Sequence, residues 1–148
     1  MSPTSEILKA KLLHKEGQLN QALRLYSEIL NKWPNNIKAK HGILQVYEGG
    51  LPGKNYSTQT KIQIQILSSL LKKEKLADAL LYGTIVTEQG KSEPSLYTLM
   101  GIINGKLGNS EKAISYFKRV IKIQPTQHEA YNNIGIVLKN IKRFNEAI

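Results

Sequence analysis

Residues 94–127 read PSLYTLMGIINGKLGNSEKAISYFKRVIKIQPTQ, and this stretch decides the fold because its landmarks return after 34 residues. Self-similarity at a fixed period of this length is the signature of a repeat architecture, in which each unit is one supersecondary element. The recurring positions are small residues, an aromatic and a glycine: Ala79, Ala113 and Ala147; Tyr97 and Tyr131; Gly101 and Gly135.

Each unit has the cap and turn residues expected of two helices joined by a turn. Gly108 and Asn109 predict the end of a first helix and the start of a second, since glycine and asparagine favour these cap positions. Pro125 predicts the end of the second helix. A small residue at Gly101 allows the second helix to approach the first closely. The pattern therefore predicts an antiparallel helix pair, with Ala113 near the crossing point.

The same spacings extend over the chain, with one interruption. Ala22 and Ala79 are 57 residues apart, which is one period of 34 plus 23 extra residues. The helical pattern Ile37–Glu48 and a Gly/Pro-rich linker, residues 49–57, account for those extra residues. We predict a first repeat at 3–36, an extra helix plus linker at 37–59, a degenerate repeat at 60–93, a regular repeat at 94–127 and a truncated repeat at 128–148.

These boundaries predict nine helices and no sheet. The linker is a possible hinge at which the first three helices either dock on the rest or swap between chains. The expected helices are 5–16, 20–32, 37–48, 58–73, 76–89, 95–106, 111–123, 128–140 and a stub from 144.

The period and these residues resemble the tetratricopeptide (TPR) repeat family over essentially the whole chain. The resemblance implies an all-α fold, a right-handed superhelical solenoid of antiparallel helix pairs, interrupted by the extra helix and the Gly/Pro linker. It also implies a protein-binding scaffold. The arrangement further resembles N-terminal TPR regions of bacterial proteins that precede a sulfotransferase or an O-linked N-acetylglucosamine transferase-like domain. Because the sequence stops inside a predicted helix, we expect it to be part of a longer chain.

Composition argues against catalysis and against cofactors. The chain lacks Cys, and Asp78 is its single Asp, so thiolate sites and converging acids are not expected. His14, His41 and His128 have no partner at metal-ligand spacing. The glycine-rich segment 49–55 fails as a phosphate loop. We therefore predict no enzyme activity, no cofactor and no metal.

The charge leaves two interpretations open. The net charge of +10 favours an acidic partner, but dispersed Lys residues also simply solvate a surface. No aromatic–basic motif indicates nucleic acid, so nucleic acid is not the partner that we expect. Neither a signal sequence nor a membrane-spanning apolar run is present, so we expect a cytoplasmic protein without a membrane partner.

The candidate binding site is the concave groove. In a stacked array the first helix of each repeat lines the concave side. Side chains there that packing does not use include Ile102, Ile136 and a set rich in Lys and amides, which suits an acidic, extended peptide. The polar set is Lys11, His14, Lys15, Lys38, His41, Lys61, Gln65, Lys72, Lys106, Asn132, Asn133, Lys139 and Asn140.

Two TPR binding patterns match this groove only in part. Chaperone-binding members grip a C-terminal carboxylate with a Lys/Asn/Arg clamp, and Ile7 stands where the leading Lys of that clamp belongs. Glycosyltransferase members carry a ladder of Asn, of which only Asn133 is present. We predict a protein or peptide partner in the groove. The alternatives are self-assembly through the exposed last helix or the linker, and a substrate-recruiting arm of a downstream sulfotransferase or glycosyltransferase.

Overall fold

The computed structural model describes residues 2–49, 56–90 and 93–147 and contains eight α-helices in these ranges. No strand occurs there, so the all-α prediction is confirmed. Residues 50–55 of the predicted linker lie outside the described residues. The helices are α1 (Pro3–Lys15), α2 (Leu19–Lys32), α3 (Ile37–Glu48), α4 (Tyr56–Lys72), α5 (Leu76–Thr87), α6 (Pro94–Lys106), α7 (Ser110–Ile123) and α8 (His128–Ala147).

The chain divides into two compact units, Met1–Gln59 and Thr60–Ile148. In the first unit α1, α2 and α3 pack against one another around Tyr26, which is fully buried. A Cβ atom at Gly42 would collide with the Tyr26 ring, so only glycine lets α3 sit this close to α2. Burial raises the pKa of the Tyr26 hydroxyl above its ordinary value, because the phenolate would lose its hydration.

In the second unit the helices pack in chain order, and a large side chain meets a small one at each hairpin. The Phe117 ring of α7 occupies the space beside Gly101 of α6, where a Cβ would overlap it. In the hairpin of α4 and α5 the small residue is Gly83 of α5, where an added Cβ would overlap Met100 Sδ of α6 and would lie 3.1 Å from Leu67 Cδ1 of α4. In both hairpins a large side chain fills the space beside a glycine. The helices of the predicted repeat at 60–93 are therefore closely packed as well.

The turns inside the hairpins share one backbone conformation. The second residue after the first helix is left-handed at Gly17 and Gly108, both with φ +79°, and at Glu74 with φ +57°. These three positions are equivalent in the repeat, and such a residue commonly ends a helix. Glycine adopts this conformation without strain, whereas Glu74 adopts it against the preference of an L side chain.

The expected break in the last helix is wrong, and the chain has eight helices in the described ranges rather than nine. α8 continues through residues 141–143 to Ala147. Lys142 occupies the position of Gly108, and left-handed backbone there would cost about 1–2 kcal/mol. Tyr131 is 52% exposed, because no helix in the described part of the chain covers it.

Candidate ligand-binding groove

A cavity of about 290 Å³ opens between α6, α7 and α8 in the second unit. Gly101 and Gly105 form one of its walls, and Phe117 and Val137 form its buried floor. Ile136, half exposed, stands at its edge. The full lining is Gly101, Ile102, Gly105, Lys106, Ser110, Phe117, Asn133, Ile136, Val137 and Asn140.

The apolar floor belongs to a packed cluster rather than to a loose surface. Ala113, Phe117 and Val137 are buried together. Four partly buried isoleucines pack on this cluster, namely Ile102, Ile114, Ile134 and Ile141. Side chains held in this way keep their positions, so the cavity is preformed for an apolar group of a ligand.

The polar edge of the cavity contains an unused donor. Asn133 Nδ2 is buried but makes no hydrogen bond among the described residues. A buried amide left unpaired costs about 1–3 kcal/mol. Asn133 also lines the cavity, so a turn of its side chain toward a ligand carbonyl would remove that cost, and Asn140 adds a second amide on the same helix about two turns away.

Lys106 provides positive charge at the same edge. Its Nζ lies 3.5 Å from Glu74 Oε1, and both side chains are largely exposed. Exposed ion pairs contribute little to stability, because water screens them and two long side chains must be ordered. A carboxylate of a ligand can therefore replace Glu74 as the partner of Lys106 at small cost.

The structure brings only part of the predicted groove set together in this cavity. Lys106, Asn133 and Asn140 line it, together with Ile102 and Ile136. The remaining predicted residues of the second unit are exposed but do not line it: Lys61, Gln65, Lys72, Asn132 and Lys139.

The first unit has a cavity of its own, of about 430 Å³, between α1 and α3. It brings together Lys11, Lys38 and His41 of the predicted set, beside Gly42 and Gln45. Two Lys side chains at one opening favour an acidic group. The predicted residues His14 and Lys15, at the end of α1, do not line this cavity.

Sequence reasoning placed the apolar residues Ile102 and Ile136 in the groove but assigned Gly101 to packing alone, so it missed the buried floor formed by Phe117 and Val137. A detectable signal was present. Gly101 and Gly105 are four residues apart, which places both on one face of α6, where neither contributes a side chain. A pair of glycines at this spacing, opposite a buried aromatic, indicates a cavity as well as a close helix approach.

The described part of the chain holds neither a cluster of metal-ligand residues nor a membrane-spanning helix. No group of three or more His, Asp or Glu residues is placed there to hold a metal ion. None of the helices described combines the length and the apolar character that crossing a membrane requires.

Comparison with known proteins identifies the fold. A tetratricopeptide repeat family model matches residues 94–127, the stretch whose spacing is most regular. No curated protein sequence matches the chain significantly. Many solved structures do match, and all of the similar structures described below are under 25% identical, so they show the fold.

Three of these structures span most of the chain. The first TPR of Spaghetti (RPAP3), bound to the HSP90 peptide SRMEEVD, has 16% identity, covers 95% of this chain and 93% of its own, with TM-score 0.53. YrrB, described as a TPR protein with an unusual peptide-binding site, has 22% identity, coverage of 93% and 76%, and TM-score 0.55. A crystal structure of MamA has 17% identity, coverage of 93% and 87%, and TM-score 0.56.

Proposed function

Residues 94–127 form a tetratricopeptide repeat in a chain with the tetratricopeptide fold, and from this premise we propose that the chain is a protein-interaction module. Its ligand is an extended peptide segment of a partner protein. The observation that carries the proposal is the cavity between α6, α7 and α8, where a buried apolar floor and an unpaired amide donor lie side by side.

The chemistry of that cavity defines the ligand. An aliphatic side chain of the peptide enters between Ile102 and Ile136 and reaches the floor at Phe117. The adjoining backbone carbonyl accepts a hydrogen bond from Asn133 Nδ2. This combination of apolar contact and one placed donor is typical of sites that bind a peptide with orientation.

An acidic residue next to the aliphatic one adds to the fit. Lys106 is available at the edge of the cavity, and the net charge of +10 attracts acidic segments over distance. The cavity of the first unit has the same preference through Lys11 and Lys38.

Two structural neighbours support peptide binding as the activity of this fold. One was solved with the peptide SRMEEVD, which contains three acidic residues and two apolar ones. Another is described by its peptide-binding site. The Lys of a carboxylate clamp is replaced by Ile7 here, so the proposed mode depends on the side chain and backbone of the peptide rather than on its terminal carboxylate.

Three narrower statements stay predictions from the sequence. They are a cytoplasmic location, association of copies with one another, and service as the recruiting arm of a sulfotransferase or glycosyltransferase-like protein. Light scattering tests association, since a mass independent of concentration and equal to one chain would exclude it. The gene sequence around this segment tests the recruiting arm.

The test of the proposed function starts from a display library of random twelve-residue peptides selected on the intact chain. We expect enrichment of an aliphatic residue beside Asp or Glu. Fluorescence anisotropy then compares variants for one enriched peptide. Ile136→Glu should weaken binding at least tenfold by placing a charge at the apolar site, and Asn133→Ala about two- to tenfold, which is the range for one hydrogen bond.

A matched charge reversal separates the cavity from general electrostatics. Lys106→Glu should weaken peptide binding more than Lys118→Glu, because Lys118 is also exposed but lies on α7 outside the cavity. Equal effects of the two reversals would mean that the peptide responds only to net charge. Failure to enrich any peptide, or enrichment of basic ones, would overturn the proposal.

A further inference from the structure

The solvent side of α7 carries an open groove of about 420 Å³, and no residue that lines it also lines the cavity between α6, α7 and α8. Three exposed cations, Lys118, Arg119 and Lys122, lie together at one end of this groove. None of the three forms an ion pair with an acidic residue in the described part of the chain. We call the groove the α7 basic face, and its lining is Glu111, Ile114, Ser115, Lys118, Arg119 and Lys122.

The guanidinium group of Arg119 is held in position by two aromatic rings. Its Cζ lies 5.5 Å from the ring centroid of Tyr97 and 5.3 Å from that of Tyr116, a distance at which a cation is attracted to the ring. Tyr97 is buried and packs with Val120, so this support is fixed. Arg119 therefore loses little conformational freedom when it binds an anion, and its planar fork donates two hydrogen bonds to one carboxylate.

The packing of the repeat does not explain this concentration of charge. Neither α2 nor α5 has a cation at the three equivalent positions, and each has one acidic residue there. On α2 that acid, Glu28, lies 3.4 Å from Arg24, so the charges balance locally. The equivalent residues are Ser27, Glu28 and Asn31 on α2, and Thr84, Ile85 and Glu88 on α5. The basic face thus belongs to α7 alone among these three helices.

The spacing of the cations defines the ligand. Lys118 and Lys122 are four residues apart, which separates them by about 6 Å along the helix axis. Alternate residues of an extended peptide point to the same side and lie about 6.6 Å apart. Two acidic residues separated by one other residue therefore reach both lysines, and Arg119 lies between them.

We propose that the α7 basic face binds an extended acidic segment of a partner protein, with acidic residues at alternate positions over Lys118 and Lys122. The opposite end of the groove selects a peptide over a uniformly charged chain. Glu111 lies about 10 Å from Lys118 along the axis and repels an anion there. A peptide places a neutral residue at this end, beside Ile114 and Ser115, whereas a nucleic acid places another phosphate.

A second copy of the chain is a poor ligand for this face, because each copy carries a net charge of +10 and two copies repel. The inference is independent of the proposed function, since the peptide groove selects an aliphatic residue and the α7 basic face does not need one. A chain with both sites holds two different segments of a partner.

The probe is a fluorescein-labelled twelve-residue peptide of alternating Glu and Ser, which has no aliphatic residue for the groove. Anisotropy with the intact chain should give saturable binding. Lys118→Glu combined with Lys122→Glu should weaken it about tenfold or more, because two charge-assisted contacts become repulsive. Lys73→Glu combined with Lys75→Glu is the matched control, with the same change of charge at exposed positions outside the face. It should weaken binding about twofold or less, since salt screens charges that do not touch the peptide.

A substitution that preserves charge separates a built site from a merely solvated surface. Arg119→Lys keeps the net charge but removes the fork and its stacking on the rings, and should weaken the peptide about three- to tenfold. Lys118→Arg, which also keeps the charge, should leave the affinity unchanged or raise it. An Arg119→Lys variant that binds as well as the parent chain would overturn the proposal.

Further outcomes identify the occupant. Asn133→Ala in the groove should leave the affinity for this probe within twofold, and circular dichroism should show that each variant is folded. Equal losses from the two double reversals, or no saturable binding, contradict the proposal. So does a single-stranded oligonucleotide that binds more tightly than the peptide and is weakened by the same variants, because the ligand is then a nucleic acid. Self-association of the free chain that the α7 double reversal abolishes would assign the face to a second copy instead.

Discussion

Replacing Phe117 by alanine is expected to lower the free energy of unfolding by about 3–5 kcal/mol, the range for removing a buried phenylalanine. The ring is 2% exposed and joins three helices, since it fills the space at Gly101 of α6 and clusters with Val137 of α8. Its removal enlarges the adjoining cavity instead of allowing collapse, because two backbone glycines form the wall on α6.

Urea denaturation followed by far-ultraviolet circular dichroism measures this effect. Leu8→Ala is the control, as Leu8 is 63% exposed and should change the free energy of unfolding by about 0.5 kcal/mol or less. Similar losses in the two variants would mean that Phe117 does not hold the second unit together.

The second large effect comes from two Gly→Ala substitutions that are expected to change the stability of the chain in opposite directions. Gly101→Ala should destabilise the chain by about 1–3 kcal/mol, because the new methyl group overlaps the Phe117 ring and forces α6 and α7 apart. Gly135→Ala, one repeat later, should stabilise it by about 1 kcal/mol. Open space surrounds that position, so only the gain in helix propensity remains.

Thermal melts of the two variants against the parent chain check this prediction, because both shifts are read in one experiment. Gly135→Ala also leaves the peptide groove unchanged, so groove binding serves as a control for folding. A loss of stability for Gly135→Ala would indicate that another helix packs over Gly135 of α8 in solution.

The repeat period predicted most of the fold because packing residues recur at fixed spacing. Helix pairs, their turns at Gly17 and Gly108, and the extra helix before the linker all follow from that spacing and from turn chemistry. The period also placed Lys106, Asn133 and Asn140 on first helices, and these three line one cavity.

The sequence was less informative where a repeat residue is present but no helix of the described chain covers it. Tyr131 matches Tyr97 in residue type, yet one is exposed and the other buried, because burial depends on the covering helix and not on the residue. Lys142 similarly occupies the repeat position of Gly108 but does not end a helix, and α8 continues through it.

In the predicted repeat at 60–93 the large and the small residue change places between the two helices. This exchange explains why its sequence resembles the regular repeat only weakly. Its first helix has Leu67 where the regular repeat has Gly101, and its second has Gly83 where the regular repeat has Phe117. A comparison of single positions scores two mismatches, whereas the pair still contains one large and one small residue in contact. A sequence pattern compares residues one position at a time, whereas packing depends on the combined size of two residues in contact.

Chemical-shift mapping of a bound peptide tests the central claim most directly. The isotope-labelled chain is titrated with a peptide of the enriched aliphatic–acidic type, and backbone and Asn side-chain amide signals are followed. We predict saturable shifts centred on Ile102, Asn133, Ile136 and Asn140, with the Asn133 side-chain amide among the largest. Shifts that avoid this cavity, or no saturable shifts at all, would contradict a peptide-binding role for the groove.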